Sequence, residues 1–291
     1  MKTKILTSSE IRAWKECPLK WYFRYHEWLV PKVTAKPLTY GRGMHGLLEA
    51  HYSKSKAPDI GEVITSSWED QEAGFIIASL SALFDAYVER EPLKRYEIIS
   101  VEDEFKIPLR TPSGRHYSPY QLAGKCDLKV KDSAGNVWLV DHKTSASRLN
   151  AEMLMISDQM RYYVWAAHEQ GINPAGIIYN LIRKPSIKPR IKDEPKDYER
   201  RLREDIEKRP LFYFQQEPIV CTQDDLDRIQ SELWDLAHMV GRGPIVRNPG
   251  ACRIFGCPYR NLCEYDTKTM RANYDIERPH SELTEVCGND D

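Results

Sequence analysis

The pattern of hydrophobic and polar positions predicts a mixed α/β protein. Apolar residues recur at helical intervals through the first ninety residues, and Thr7 and Glu10 have the spacing of a capping box. Three strands are predicted next: an alternating stretch, YEIISVEDEFKIPLR, and two apolar-rich runs on either side of the turn sequence DSAGN. A helix between Ser157 and Gly171, the strand AGIIYNLIRK, a charged helix, another strand and a helix capped by Thr222 follow. This order is typical of a mixed sheet flanked by helices.

The same pattern predicts the domain organisation. The length of 291 residues suits one large domain or two small ones, and no internal repeat is visible. We predict a single domain over residues 1–275, followed by a disordered tail over 276–291. Within the domain we predict an N-terminal helical part (1–95), a central core (96–220) and a C-terminal helix with a cysteine cluster (221–275).

The predicted hairpin around DSAGN carries charges inside both of its strands. Asp127 and Asp141 are each seven residues from Ala134, so a symmetric hairpin places them opposite each other, with Cβ atoms ~4.5–5.5 Å apart. Lys143 shares the face of Asp141. Two facing carboxylates repel unless a cation neutralises them, and Mg²⁺ or Mn²⁺ prefers such oxygen ligands. A metal beside a lysine suits phosphodiester cleavage; the alternative is an exposed hairpin with solvated charges.

Cysteine spacing predicts a second metal centre. Three of the seven cysteines form a C-x4-C-x5-C cluster, Cys252, Cys257 and Cys263, and Cys17 is the candidate for a fourth ligand. Four thiolates would tie the two ends of the chain together, with either an iron–sulfur cluster or zinc. The remaining three are predicted to be a buried strand residue, Cys126, and two incidental thiols, Cys221 and Cys287.

Composition and charge narrow the location and the partners. The chain has no apolar run long enough for a membrane span and no secretory signal pattern, so we expect a cytoplasmic protein without a membrane partner. Net charge is −1, so nucleic acid would have to meet a local basic patch. Residues 181–196 hold six Lys/Arg against two acids, and Arg183 and Lys184 are predicted to contact DNA phosphates. The aromatic stretch KWYFRYHEW could stack on bases or pack its own helix.

Five motifs in order resemble the PD-(D/E)XK nuclease superfamily, and within it the RecB-type branch. They are CPLKWYF (17–23), GRGMHGLLE (41–49), GKCD (124–127), DHK (141–143) with the following threonine, and QMRYY (159–163). The acid of GKCD lacks the proline that names the superfamily, as is common in that branch. The resemblance implies a restriction-endonuclease-like mixed sheet flanked by helices.

The resemblance also implies roles for individual residues. Lys143 would be the catalytic lysine, and an upstream acid on the preceding strand would join it, with Glu104 preferred over Glu102. Gln159 and Tyr163 would lie along the DNA path, although Tyr163 could instead be a core residue. The implied ligands of Mg²⁺ or Mn²⁺ are His45, Asp127, Asp141 and the carbonyl of His142.

A subset of this branch carries a [4Fe–4S] cluster on one N-terminal and three C-terminal cysteines, as in the AddB nuclease, the fourth family of CRISPR-associated proteins and many phage exonucleases. Cys17, Cys252, Cys257 and Cys263 match that arrangement. The implied function is a metal-dependent DNA exonuclease acting on single strands or ends in recombination, repair or phage DNA metabolism. Two alternatives stay open: a CRISPR adaptation nuclease that trims spacer precursors with an integrase partner, and a DNA-binding module that does not cleave.

Overall fold

A six-stranded mixed sheet lies at the centre of the chain. The structure is a computed structural model that describes residues 4–33, 36–65, 70–148, 150, 154, 157–281 and 283. The described strands are β1 (Lys4–Leu6), β2 (Leu29–Pro31), β3 (Glu97–Arg110), β4 (His116–Lys131), β5 (Val137–Ser145), β6 (Gly176–Arg183), β7 (Phe214–Ile219) and β8 (Tyr274–Ile276). Strand β4 pairs in parallel with β1 and antiparallel with β3 and β5, and the sheet continues with β6 parallel to β5 and β7 antiparallel to β6.

Helices cover the sheet, and further short helices lie towards both ends of the chain. A π-helical turn, Tyr22–His26, follows the second helix. The described α-helices are α1 (Ser8–Glu16), α2 (Pro18–Trp21), α3 (Lys36–Ser53), α4 (Ile60–Thr65), α5 (Asp70–Arg90), α6 (Asp158–Glu169), α7 (Pro195–Lys208), α8 (Pro210–Tyr213), α9 (Gln223–Met239), α10 (Pro249–Phe255), α11 (Arg260–Glu264) and α12 (Lys268–Arg271).

Two large apolar clusters hold these layers together. One cluster packs α1, α6 and α9 against the sheet, with Trp14, Tyr162 and Leu233 among its buried members. The other joins α3, α5 and α7 around Met44, Leu83 and other side chains. The sequence prediction of a mixed α/β fold with a helix-flanked sheet is therefore confirmed, and the strand order is compatible with a restriction-endonuclease-like fold.

The hairpin between β4 and β5 has the register that its turn predicts. Asp132 organises the turn, because its Oδ1 accepts hydrogen bonds from the backbone N–H groups of Ala134 and Asn136, each at 2.9 Å. Gly135 supplies the left-handed conformation, with φ +88°. Pairs run from Lys131–Val137 to Leu128–Val140. The pairing stops one residue short of Asp127 and Asp141, which therefore lie where the two strands begin to separate.

Both ends of the chain meet beside the second, two-stranded sheet. Strand β2 pairs antiparallel with β8, and Tyr259 Oη donates a hydrogen bond to the carbonyl of Leu29 at 2.7 Å. His280 Nε2 lies 3.1 Å from Glu10 Oε2, and Leu283 is buried. Thus the first part of the predicted tail makes contacts with the domain. Residues 282 and 284–291, including Cys287, lie outside the described residues.

The start of α1 differs in one detail from the predicted capping box. Thr7 Oγ1 accepts from the backbone N–H of Glu10 at 3.2 Å, as predicted. The Glu10 carboxylate does not return to the cap; its Oε1 accepts from Trp21 Nε1 at 2.9 Å. A buried tryptophan donor without another partner outcompetes the backbone N–H for this carboxylate.

Among the helices that the structure describes, none combines the length and apolarity that a membrane span requires.

Candidate active site

Two carboxylates meet where β4 and β5 separate. The backbone pairing of these strands ends at Leu128–Val140. One step further, Asp127 Oδ2 accepts a hydrogen bond from the backbone N–H of His142 at 2.7 Å. Asp141 is only 1% exposed, and its Oδ2 has no hydrogen-bond partner within the described part of the chain. A buried carboxylate oxygen without a donor is costly, and this oxygen is therefore available to a cation.

Lys143 neutralises one side of this acidic pair. Its Nζ lies 2.8 Å from Asp141 Oδ1. Burial lowers the pKa of Lys143, but the carboxylates of Asp141 and then Asp127 raise it more, so the net pKa is above its ordinary value. The side chain is thus an ammonium ion, held by Asp141 at the edge of the site.

Glu102 is the upstream acid that faces this pair. The neighbouring pairs Val101–Leu128 and Asp103–Cys126 place Glu102 opposite Asp127. Its backbone is in the left-handed region, with φ +51°, a conformation that costs a non-glycine residue roughly 1–3 kcal/mol. The Glu102 carboxylate lies 2.6 Å from Lys125 Nζ. Such strain is commonly found at functional sites.

Glu104, which the sequence analysis preferred as the upstream acid, occupies a different place from Glu102. It pairs with Lys125, one same-face step away from the Asp127 position. Alternation along a strand puts Glu102 and Glu104 on one face but does not say which is level with Asp127. That choice depends on the β3–β4 register, including a shift between Ile98 and Ser100 that a single sequence does not reveal.

Helix α3 brings His45 to the same place. Candidate ligand atoms of His45, Glu102 and Asp127 all lie within 4.8 Å of one another, and His45 Nδ1 is 3.6 Å from Asp127 Oδ2. Burial and then the Lys143 ammonium lower the pKa of His45, which favours the neutral imidazole that binds metals. Gly41 permits this approach, because a Cβ there would lie 3.3 Å from Thr144 Oγ1 on β5.

The electrostatics of the site favour a divalent cation. Burial, followed by repulsion from Asp141, raises the pKa of Asp127 to about 7. A cation between the carboxylates would reverse this effect and would also supply the partner that Asp141 Oδ2 lacks. The donor set of carboxylate oxygens and one imidazole suits Mg²⁺ or Mn²⁺. The residues present therefore fit the metal that the sequence analysis expects.

Gln159 and Tyr163 lie on α6 next to Asp141. Gln159 Nε2 is 3.1 Å from Tyr163 Oη and 3.4 Å from Asp141 Oδ1. Tyr163 is only 8% exposed. Its ring packs over Gly124, where a Cβ would lie 2.7 Å from the ring of Phe105 and 3.4 Å from that of Tyr163. The two side chains thus contact the candidate site, and the glycine of GKCD makes room for the rings.

The two basic residues predicted to contact DNA lie at the end of β6, beside the end of β5. The backbone N–H of Lys184 donates to the carbonyl of Ser145 at 2.8 Å. Lys184 Nζ lies 4.6 Å from the centre of the Tyr40 ring, and the Arg183 guanidinium 4.0 Å from that of Phe212. Both are therefore next to the strand that carries Lys143.

The four predicted cysteine ligands line one cavity. Cys17, Cys252, Cys257 and Cys263 surround a space of about 300 Å³, together with the basic residues Lys20, Arg247 and Arg260. Burial raises the pKa of the Cys257 thiol, and neighbouring Cys252 and Cys17 raise it further. The backbone N–H of Asn248 lies 3.4 Å from Cys17 Sγ. Cys126 is buried in the sheet and Cys221 is half-buried; neither lines this cavity.

Comparisons with known proteins identify the superfamily of this chain. No curated protein matches the chain. A structure titled "Crystal structure of SSO0001" is similar at 12% sequence identity and a TM-score of 0.39, covering 90% of this chain and 87% of the other. The family model of the PD-(D/E)XK nuclease superfamily matches residues 5–264, which contain every motif discussed above. The chain therefore belongs to the PD-(D/E)XK nuclease superfamily.

Proposed function

We propose that this protein is a divalent-metal-dependent DNA exonuclease of the RecB-type branch, acting on single strands or DNA ends. The observation that carries the proposal is the cluster of His45, Glu102 and Asp127 beside the Lys143–Asp141 pair. Family membership supports phosphodiester hydrolysis with a divalent metal. Restriction to DNA, exonuclease action and a role in recombination, repair or phage DNA metabolism rest on the motif resemblance.

Each side chain has a distinct role in the proposed reaction. Asp127, Glu102 and His45 would hold the metal, with Asp141 Oδ2 and the His142 carbonyl as further oxygen donors. A bound Mg²⁺ or Mn²⁺ supplies a Lewis acid for the phosphate and lowers the pKa of a bound water. The Lys143 ammonium stabilises negative charge that develops on the phosphate or orients the attacking water. Asp141 keeps Lys143 charged and directed into the site.

The basic strand ends support a path for the substrate. Arg183 is the last residue of β6 and Lys184 follows it, and both lie next to the end of β5, the strand that carries Lys143. Phosphate contacts from such residues supply affinity without sequence preference. Gln159 would touch the site from the other side, through Asp141. We propose that the strand to be cut enters along this edge.

The cysteine cavity supports a [4Fe–4S] cluster as a structural cofactor. A zinc ion holds four thiolate sulfurs at about 2.3 Å and leaves no space between them. The cavity that the four cysteines help to line has a volume of about 300 Å³, so it has room for a group larger than one ion. The N–H of Asn248 beside Cys17 Sγ is placed to stabilise a bound thiolate. Lys20, Arg247 and Arg260 would offset the negative charge of the ligated group.

The proposed activity is tested by digestion of end-labelled single- and double-stranded DNA with Mn²⁺. Asp141→Ala and Lys143→Ala should each abolish cleavage, because they remove a metal ligand and the catalytic ammonium, while DNA binding persists through phosphate contacts elsewhere. Asp235→Asn, on the exposed face of α9, serves as the control and should digest normally. Digestion at the wild-type rate by Asp141→Ala would remove the site assignment, and internal cuts without loss of end label would refute exonuclease action.

A further inference from the structure

A buried polar network lies directly behind the candidate active site. His142 stands between Asp141 and Lys143, so its side chain points to the opposite face of β5, where it is 3% exposed. Its Nδ1 lies 2.7 Å from Nδ2 of Asn180, its partner on β6. Gln216 Nε2 lies 3.1 Å from Asn180 Oδ1. In this orientation of the two amides, Asn180 Nδ2 donates to His142 Nδ1, which corresponds to the tautomer with the ring proton on Nε2.

The network connects β5 to two helices. Asn180 Nδ2 also donates to Tyr87 Oη, on α5, at 3.0 Å. Tyr87 Oη lies 2.8 Å from Tyr52 Oη, on α3. The Tyr52 ring stacks on the His142 ring, with centroids 5.7 Å apart and planes at 8°. His142 is thus hydrogen-bonded to the sheet on one side and stacked on α3 on the other.

Helix α3 also carries His45. Tyr52 follows His45 by seven residues, two helical turns, so both side chains lie on the same face of α3. The His45 ring contacts the His142 ring edge-on, with centroids 6.4 Å apart and planes at 80°. The distance of His45 from Asp127 therefore depends on how α3 packs against β5. His142 contacts both His45 and Tyr52 where these two elements meet.

An apolar side chain would fill this position at lower cost. His142 Nε2 is buried without a hydrogen-bond partner in the part of the chain that the structure describes. Leaving such a donor unpaired costs about 1–3 kcal/mol. A leucine has no planar ring that could stack on Tyr52 and have its orientation fixed by Asn180.

We infer that His142 is a positioning residue. With Asn180 and Tyr52, its imidazole fixes the position of α3 on β5, and therefore the position of His45 beside Asp127 and Glu102. This role is separate from the proposed use of the His142 carbonyl, and it rests on the proposed metal site. Residues that orient a metal ligand typically contribute 10–100-fold to metal affinity or activity, and an effect of roughly that size is expected here.

The experiment measures Mn²⁺ binding to the metal-free protein by calorimetry, without nucleic acid. His142→Leu removes both the stack and the acceptor and should weaken Mn²⁺ binding roughly 10–100-fold. His142→Phe keeps a stacking ring and should recover part of that loss. Leu233→Ala is the control for lost stability: it opens the apolar cluster under α9, away from this network, and should lower the melting temperature while leaving Mn²⁺ affinity unchanged.

Tyr52→Leu keeps the proposal testable if His142→Leu does not fold. It removes the stack from the α3 side and should also weaken Mn²⁺ binding, while binding of single-stranded DNA without metal stays at the wild-type level. Wild-type Mn²⁺ affinity in Tyr52→Leu or His142→Leu, or an equal loss in Leu233→Ala, would overturn the inference alone. If the wild-type protein itself binds no Mn²⁺, the proposed metal site fails and the inference fails with it.

Discussion

Single residues of β3 differ sharply in their relation to the proposed metal site. Glu102 has a ligand atom within 4.8 Å of those of His45 and Asp127. Glu104 shares its face but pairs with Lys125. Glu102→Gln should therefore lower Mn²⁺ affinity and cleavage rate, by roughly 10–100-fold or more, whereas Glu104→Gln should leave both near the wild-type values. Calorimetric titration and initial rates on labelled single-stranded DNA measure the two effects, and the reverse ranking would return the role to Glu104.

The raised pKa of Asp127 predicts a pH-dependent stability of the metal-free protein. Its ordinary pKa is about 3.9, and burial with Asp141 nearby raises it to about 7 in the folded state. Between these values the folded protein keeps a proton that the unfolded chain has released. The free energy of unfolding should therefore fall as pH rises from 4 to 7, by on the order of 1 kcal/mol per pH unit from this group.

Asp127→Asn should remove this fall, because the amide does not titrate. Urea unfolding of metal-free protein at pH 5 and pH 7 compares the two proteins, with Asp235→Asn as a control acid on the surface. At pH 7, Mn²⁺ should raise the free energy of unfolding of the wild-type protein again, because the metal displaces the proton from Asp127. A wild type that gains stability relative to Asp127→Asn between pH 5 and pH 7 would contradict the assigned direction.

At the scale of elements, α6 meets β4 through a contact that only glycine permits. A methyl group on Gly124 would lie 2.7 Å from the Phe105 ring and 3.4 Å from the Tyr163 ring. Gly124→Ala should therefore destabilise the protein by roughly 1–3 kcal/mol. Cleavage should slow as well, since Tyr163 and Gln159 lead to Asp141. Urea unfolding and initial rates give the two measurements.

A second change makes the Gly124 prediction specific. Phe105→Leu in the Gly124→Ala background shortens the side chain that the methyl group meets, and should recover part of the stability. Gly250→Ala provides the control, because its new methyl group would meet only Asn248 Oδ1, at 3.4 Å. Equal stability of Gly124→Ala and the wild type would mean that α6 is seated less tightly on β4 than the contact distances indicate.

The elements also show what a sequence can and cannot predict here. The β4–β5 register follows from turn symmetry around Ala134, because one short hairpin fixes all its pairs. The position of Glu102 was beyond reach, since the register of a long strand such as β3 depends on local shifts and a backbone at φ +51°. The stacking contact between His142 and Tyr52 likewise depends on the position of α3, which is set by tertiary packing. Cys17 could be matched with the distant cluster because thiolate sites need four ligands and because the resemblance implies one such cysteine near the N-terminus.

At the scale of the whole molecule, the two proposed metal sites differ in their ligands and would have different roles. The site at His45, Glu102 and Asp127 offers oxygens and one imidazole, whereas the cavity at the chain ends offers thiolates. The ends are also joined by β2–β8 pairing and by the Tyr259–Leu29 hydrogen bond. A thiolate-bound group there would tie Cys17, between α1 and α2, to α10 and α11. It would close a loop of most of the chain, which should contribute strongly to stability.

The loss of that tie can be measured with single cysteine variants. Cys17→Ser should lose the bound metal as completely as Cys257→Ser and lower the melting temperature by several degrees, since about 1 kcal/mol corresponds to 2–4 °C in a chain of this size class. Cys221→Ser, outside the cavity, should retain both. Iron and sulfide analysis with visible absorption identifies the group. Colourless protein with one zinc would refute the [4Fe–4S] cluster but keep the tie between the chain ends.

The two sites should also separate under chelation, because ligand softness decides which metal exchanges. Hard Mg²⁺ or Mn²⁺ on carboxylates exchanges readily, so excess EDTA should stop cleavage at once. The thiolate-bound group should stay in place, with its visible absorption unchanged, and added Mn²⁺ should restore activity without refolding. Ca²⁺ prefers the same oxygens with looser geometry and should support DNA binding with little cutting. Full activity in excess EDTA would show that Asp127 and Asp141 do not form a metal site.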